Sequence, residues 1–221
     1  MFKKIVLGAA LLGATATPAF AAVTLTSDQG SATTFALPTY AGQSTAAFTF
    51  NVGSTTPTNF TTTYNFASLV TGDTSQTAEP AFSDGSRYLA VTAGGSATLQ
   101  STTGYSLVSF FIGSIDTFNG VQLLTTAGAV IQSFTGSDFV IPANGNQDLP
   151  STNRRVTLTV GAGDARIGGI RFTSGNGNAT EIDNVVFAVP EPSTWALMLA
   201  GFGMIGFAMR SRRRRTNVVF A

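Results

Sequence analysis

Asp116 with Asn119, and Asp183 with Asn184, are the positions at which this chain most plainly offers side-chain oxygens to a ligand. Carboxylate and amide oxygens are the hard donors that Ca²⁺ takes, so these four make up the candidate metal set, and no other cofactor is implied. The same side chains bond their own backbone in turns, and turn chemistry is the preferred reading of all four. Glu181 and Asp183 stand two apart, hence on one face of an extended strand, the arrangement that a glycosidase carboxylate pair would need. Two acids on a solvated face need no such role, and they are read here as surface charge. Asn59-Phe60-Thr61 and Asn178-Ala179-Thr180 match the N-glycosylation acceptor pattern, a weak signal taken alone. The chain has no His and no Cys. Its chemistry is thereby narrowed to carboxylates, Lys, Tyr and hydroxyls, without Ser-His-Asp or Cys-His nucleophiles, disulfides or thiolate metal sites. An enzyme is the disfavoured reading.

The elements that must position these residues read as β throughout. Residues 47–52 and 155–160 alternate apolar with polar, the period of a strand with one buried face. Residues 107–112 are apolar enough to be a central strand. Strands over 86–92 and 96–99 flank Ala93-Gly94-Gly95, a hairpin signal because Gly takes the positive φ that tight turns require. Residues 121–124 and 129–134 form a second hairpin about Thr125-Thr126-Ala127-Gly128. Further strands are expected over 138–141, 166–173 and 181–188. Many short strands at this spacing predict an all-β fold, an antiparallel β-sandwich of jelly-roll type.

The net charge of +1 for the 221 residues hides an uneven distribution. Between residues 22 and 188 there are five arginines against ten acidic side chains, a balance of −5. A body without a basic face cannot neutralise phosphates, so nucleic acid is not an expected partner.

Basic residues concentrate instead at the two ends. Residues 1–21 carry Lys3 and Lys4, an apolar run from Ile5 to Ala14, and Ala19-Phe20-Ala21, the small-x-small pattern of a signal-peptidase site; cleavage is expected after Ala21. The other end, residues 189–221, is tripartite. Pro190-Glu191-Pro192 reads as stiff extended backbone, because proline cannot continue a helix and biases the residue before it toward extended conformations. Residues 195–209 form an uncharged run of 15, predicted as one C-terminal transmembrane helix although shorter than the roughly 20 residues that span a bilayer. Trp195 suits one interface, and Arg210, Arg212, Arg213, Arg214 and Arg215 the cytoplasmic side of the other.

This end resembles the PEP-CTERM sorting signal of exported proteins from Gram-negative bacteria, in its Pro-Glu-Pro-x-x-Trp-Ala variant, on Pro190, Glu191, Pro192, Trp195 and Ala196. The resemblance implies that an exosortase, an intramembrane cysteine transpeptidase, removes the tail and passes the body to the cell surface or exopolysaccharide matrix. The six residues after the arginines, 216–221, make a slightly longer tail than that pattern. Within the body, Tyr88-Leu89-Ala90-Val91, Gly94 to Leu99, Gly113 to Asn119 and Ile182 to Val185 resemble a group of exosortase-dependent surface proteins, which implies a sandwich and no catalytic residue.

Three domains follow: a signal peptide over 1–21, a sandwich body over 22–188 and a sorting signal over 189–221. The expected function is that of an exported, non-catalytic surface or biofilm-matrix component, anchored transiently in the inner membrane during sorting. The alternative is a module that binds extracellular glycan. Sugar-binding faces rely on exposed aromatics, and the single Trp lies in the sorting signal, so Tyr40, Tyr64, Tyr88 and Tyr105 would have to serve.

Overall fold

The computed structural model describes residues 22–41, 43–190 and 194–212. In chain order its elements are β1 (Val23–Gln29), α1 (Ala32–Phe35), β2 (Gln43–Phe48), β3 (Phe60–Val70), β4 (Tyr88–Tyr105) and β5 (Leu107–Gly113). They continue with β6 (Asn119–Leu124), β7 (Val130–Thr135), α2 (Gly136–Phe139), β8 (Arg154–Val160), β9 (Ile167–Ser174), β10 (Thr180–Pro190) and α3 (Thr194–Arg212). Every strand pair is antiparallel, and the path of neighbours runs β1-β8-β5-β10-β4-β9-β6-β7, with β2 on β10 and β3 on β4.

This ladder folds over on itself because β4 and β10 each serve two layers. The first half of β4 pairs with the start of β10, Val91 opposite Thr180, while its second half pairs with β9, Ser96 opposite Thr173. One layer is thus β1-β8-β5-β10-β2 and the other β3-β4-β9-β6-β7, a jelly-roll-like sandwich as the strand pattern predicts. The layers meet through aromatic rings. Phe110 of β5 packs edge-on against Phe172 of β9 at 5.1 Å, and Phe187 of β10 lies 4.8 Å from Phe60 of β3. Phe48 joins the second group at 5.0 Å from Phe60, and Phe139 of α2 closes the first at 6.2 Å from Phe110. Much of the chain's high phenylalanine content is this core.

The corner is where the sequence-based expectation needs correction. Ala93-Gly94-Gly95 is not a hairpin turn but a kink inside the single 18-residue strand β4. Between Asn65 and Ala67 of β3 the register jumps from Ser96 to Val91 of β4, a bulge that re-aims the strand toward its second partner. Gly94 adopts φ of 71° and Phe66 opposite adopts 46°. At Gly95 an added Cβ would sit 2.6–2.8 Å from the carbonyl oxygens of Phe66, Thr92 and Asn65, so only glycine fits. The β9–β10 loop then locks the kink: the Gly94 N–H donates to the Gly175 carbonyl at 2.7 Å, and the Ala93 N–H to Asn178 Oδ1 at 2.7 Å.

Two other segments differ. The strand expected over 138–141 is the helix α2, because Thr135 and Asp138 form a capping box in which the carboxylate accepts from the Thr135 backbone N–H at 2.7 Å. The strand expected over 47–52 ends at Phe48, and its pairing run lies earlier, over Gln43–Phe48.

The segment expected to cross the membrane forms a helix, α3, over 19 residues. Among the described residues, however, no helix is long and apolar enough to cross a membrane, which corrects the predicted transmembrane assignment. The physical reason lies in composition: Gly201, Gly203 and Gly206 dilute the apolar run, and arginine enters at Arg210. Its described side chains are largely exposed, Phe202, Met204, Ile205 and Phe207 at 63, 69, 58 and 76%.

Candidate functional site

The polar residues that sequence reading singled out on β10 lie on the side of the first layer that faces away from the sandwich core. Across that layer, residues directly opposite one another share a face. One row joins Asp183, Phe111 and Arg155, and the neighbouring row places Glu181 beside Gly113. Such a face would ordinarily be wet. Here two segments cover it, and Asp183, Glu181 and Arg155 are 0, 1 and 5% exposed.

Residues 71–87 form the first cover. Glu181 holds it down, its Oε1 accepting from the Ala78 backbone N–H at 3.2 Å and its Oε2 from the Ser114 hydroxyl at 2.6 Å. Asn153 does the same, its Oδ1 accepting from the Ala81 N–H at 3.0 Å and the Ser114 N–H at 3.2 Å. Gly113 leaves room between them for Pro80. The second cover is the chain about α1. Arg155 donates Nε–H to the Thr34 carbonyl at 2.8 Å, Nη1 to the Asn184 carbonyl at 2.7 Å, and Nη2 to the Phe35 and Ala36 carbonyls at 2.7 and 3.0 Å. Its guanidinium lies 5.8 Å from the centre of the Phe111 ring, which in turn meets Phe35 edge-on at 5.1 Å.

Burial shapes the charges of this layer. Removal from water raises the carboxyls of Glu181 and Asp183 to about 7, and the bonds that each accepts only partly offset it. The same loss of water lowers Arg155 to about 10. Asp183 Oδ1 accepts from the Asn184 N–H at 2.6 Å, while its buried Oδ2 has no partner among the described residues. Asn184 itself takes a left-handed φ of 49° at the bulge of β10, and its Nδ2 donates to the Phe35 carbonyl at 2.9 Å. The arrangement is a polar clasp that fastens two covers to a sheet. A sugar cannot reach a carboxylate pair enclosed in this way, so Glu181 and Asp183 do not stand as glycosidase residues.

The four expected metal ligands fall into two places. Asn119 opens β6: its Oδ1 accepts from the Asp116 N–H at 2.5 Å, and its Nδ2 donates to the Ala179 carbonyl and the Thr180 hydroxyl at 3.1 and 2.8 Å. The Asp116 carboxyl is raised by burial, and its backbone bridges to Asn144. Asp183 and Asn184 sit farther along β10 beside Arg155. No group of three or more ligating His, Cys, Asp or Glu side chains that could hold a metal ion occurs among the described residues. Of the four tyrosines considered for sugar contact, Tyr88 and Tyr105 are buried, Tyr40 is half-buried and Tyr64 is 38% exposed. Sequence reading missed Arg155, Asn153 and Ser114, since a strand of alternating pattern assigns Arg155 to solvent.

The sorting residues are reached from the last strand. β10 does not stop at Ala188 but continues through Val189 to Pro190, which pair with Ser44 and Gln43 of β2. Its ladder with β5 ends at Ala188 opposite Leu107, so among the described strands Val189 and Pro190 pair with β2 only. The Ser106 N–H adds a bond of 3.0 Å to the Ala188 carbonyl. Ala196 and Arg210 lie in α3, Trp195 and Arg212 lie in its backbone path, and Ala19, Ala21, Glu191, Pro192, Arg213, Arg214 and Arg215 lie outside the described residues.

No curated protein matches this chain. Among solved structures it is similar to a carbohydrate binding module of family 29, at 14% identity over 66% of this chain and 88% of that one, with a TM-score of 0.38. A family 29 module solved with mannohexaose gives 16% identity over 66% and 92%, at 0.38. A peptidoglycan O-acetylesterase gives 16% identity over 66% of this chain and 34% of that one, at 0.37. The C-terminal match is of another kind, one of motif rather than shape. Residues 188–214 match the family model of the PEP-CTERM protein-sorting motif, so this chain carries the sorting signal of exosortase-dependent proteins.

Proposed function

We propose that the chain is an exported, non-catalytic sandwich which an exosortase sorts to the cell surface, where it serves as a surface or exopolysaccharide-matrix component. The observation that carries this reading is the sorting motif of residues 188–214, joined without a linker to the last strand of a folded body. In this reading residues 1–21 direct export and are cut after Ala21, and the exosortase acts at Pro190-Glu191-Pro192. The exposed apolar side chains of α3 favour contact of the tail with the inner membrane while sorting proceeds. Non-catalysis is supported by the use of the body's strongest polar constellation, Glu181, Asp183, Arg155 and Asn153, to fasten its own covers. Fractionation of the native host tests the reading. Wild type is expected at the surface or in the medium, and a Pro190-Glu191-Pro192→Ala variant in the inner-membrane fraction; equal distributions refute it.

Glycan binding is a second reading, favoured by one observation. Tyr64 and Phe66 stand two apart on β3, 38 and 71% exposed, on a strand that among the described residues pairs only with β4. Binding of the purified protein to matrix polysaccharides that disappears in Tyr64→Ala and Phe66→Ala supports this reading, and silence in wild type removes it.

A further inference from the structure

Tyr64 of β3 borders a pocket of about 70 Å³. Phe50 and Leu69 line it with apolar surface, Thr56 with a hydroxyl, and Asn51 and Arg87 with polar groups, while no acidic side chain lines it. Its rim is fixed by the fold. Phe50 takes a left-handed φ of 56°, and the chain after it closes a turn in which the Ser54 N–H donates to the Asn51 carbonyl at 3.0 Å. The Thr49 and Ser54 hydroxyls bond across the same turn at 2.8 Å. Arg87, from the end of the first cover, reaches this loop: its Nε–H donates to the Phe50 carbonyl at 3.1 Å, and its Nη2 to the Asn51 carbonyl at 3.3 Å.

Two observations point to a ligand. Those two bonds leave most of the guanidinium's N–H donors unused, and no carboxylate pairs with Arg87 among the described residues. Asn51 meanwhile keeps a buried Oδ1 with no partner among the described residues. Buried polar groups in folded chains are nearly always paired, so spare donors and an idle acceptor in one pocket call for a partner from outside. The donors set its chemistry: a guanidinium fork with free N–H groups matches a carboxylate. The size sets its placing, because the pocket admits a carboxyl group but not a whole sugar ring, which is left to lie on the exposed face of Tyr64. We propose that this pocket binds the carboxylate of an acidic sugar, the carboxyl group entering against Arg87 and the ring resting on Tyr64. The inference rests on the glycan-binding reading above and deepens it, naming a polyuronate as the glycan.

Calorimetric titration of the purified full chain with polygalacturonate, with its methyl ester and with polyglutamate, all at one salt concentration, tests this. Wild type is expected to bind the free acid about tenfold more tightly than the ester, a preference of about 1.4 kcal/mol, and not to bind polyglutamate. Arg87→Ala and Thr56→Asp are each expected to abolish that preference and leave affinity for the ester unchanged. Arg87→Ala also removes two bonds to the loop. Thr56 is exposed and makes no hydrogen bond to the described residues, so Thr56→Asp sets a like charge at the pocket with the wild-type Tm retained. Equal affinity for acid and ester, or a preference that survives both variants, overturns the carboxylate assignment and leaves glycan binding standing. Binding of neither polysaccharide removes both. Polyglutamate bound as tightly as polygalacturonate overturns the sugar assignment and gives the pocket to an acidic peptide.

Discussion

Glu181 and Asp183 hold their protons to about pH 7, against ordinary values of 4.5 and 3.8, because the fold removes both from water. Between those limits the folded chain binds more protons than the unfolded chain, so stability falls as pH rises through that window and is greatest below it. Each group should cost on the order of 3 to 4 kcal/mol at pH 8 relative to pH 4. In thermal melts this appears as a higher Tm at pH 5 than at pH 8, with the difference shrinking in a Glu181→Gln, Asp183→Asn double variant. A wild type more stable at pH 8 would show that other groups outweigh the pair. Since Asn119 spends its amide on Asp116, Ala179 and Thr180, addition of EDTA is expected to leave Tm unchanged; a fall of several degrees would restore a Ca²⁺ role to these residues. The sequence shows the types and spacing of these side chains but not their burial. That depends on residues 71–87 and the α1 segment folding across a face which strand alternation alone leaves open, and those covers lie about 100 to 150 positions away.

Among the elements, β4 determines how one ladder becomes two layers. Its kink requires Gly95, whose missing Cβ is replaced by three carbonyl oxygens. Gly95→Ala is expected to destabilise the protein by about 3 kcal/mol through that collision, while Gly163→Ala, where nothing approaches, stays near neutral. Chemical denaturation of the two variants checks the contrast, and equal midpoints would refute the assigned role. In the core, Phe110→Ala removes a ring that meets both Phe172 and Phe139 and is expected to cost about 3–5 kcal/mol. Most strands were legible because alternation or continuous apolar runs survive in β5, β6, β7, β8, β9 and β10. The Gly-Gly signal was read as a hairpin because a bulge and a turn draw on the same freedom in φ. Only partner exchange, a non-local event, distinguishes them. The Thr135–Asp138 spacing of the capping box is legible in the sequence and favours α2 over the strand pattern of 138–141.

At the scale of the whole molecule, the last strand of the body runs into the first residues of the sorting-motif match. The tail was the most legible part of the sequence, since its motif is local and ordered along the chain. The junction was not, because the pairing of Pro190 with Gln43 joins residues nearly 150 positions apart. A sandwich whose final strand delivers the motif accounts for an exported protein that is a substrate of the sorting system and not its catalyst. Intact-mass measurement of the protein recovered from its native host tests this most directly. The account predicts a species that has lost residues 1–21 and the segment beyond the Pro-Glu-Pro motif, found at the surface or in the medium. Recovery of a chain that retains its C-terminal arginines, held in the inner-membrane fraction, would contradict it.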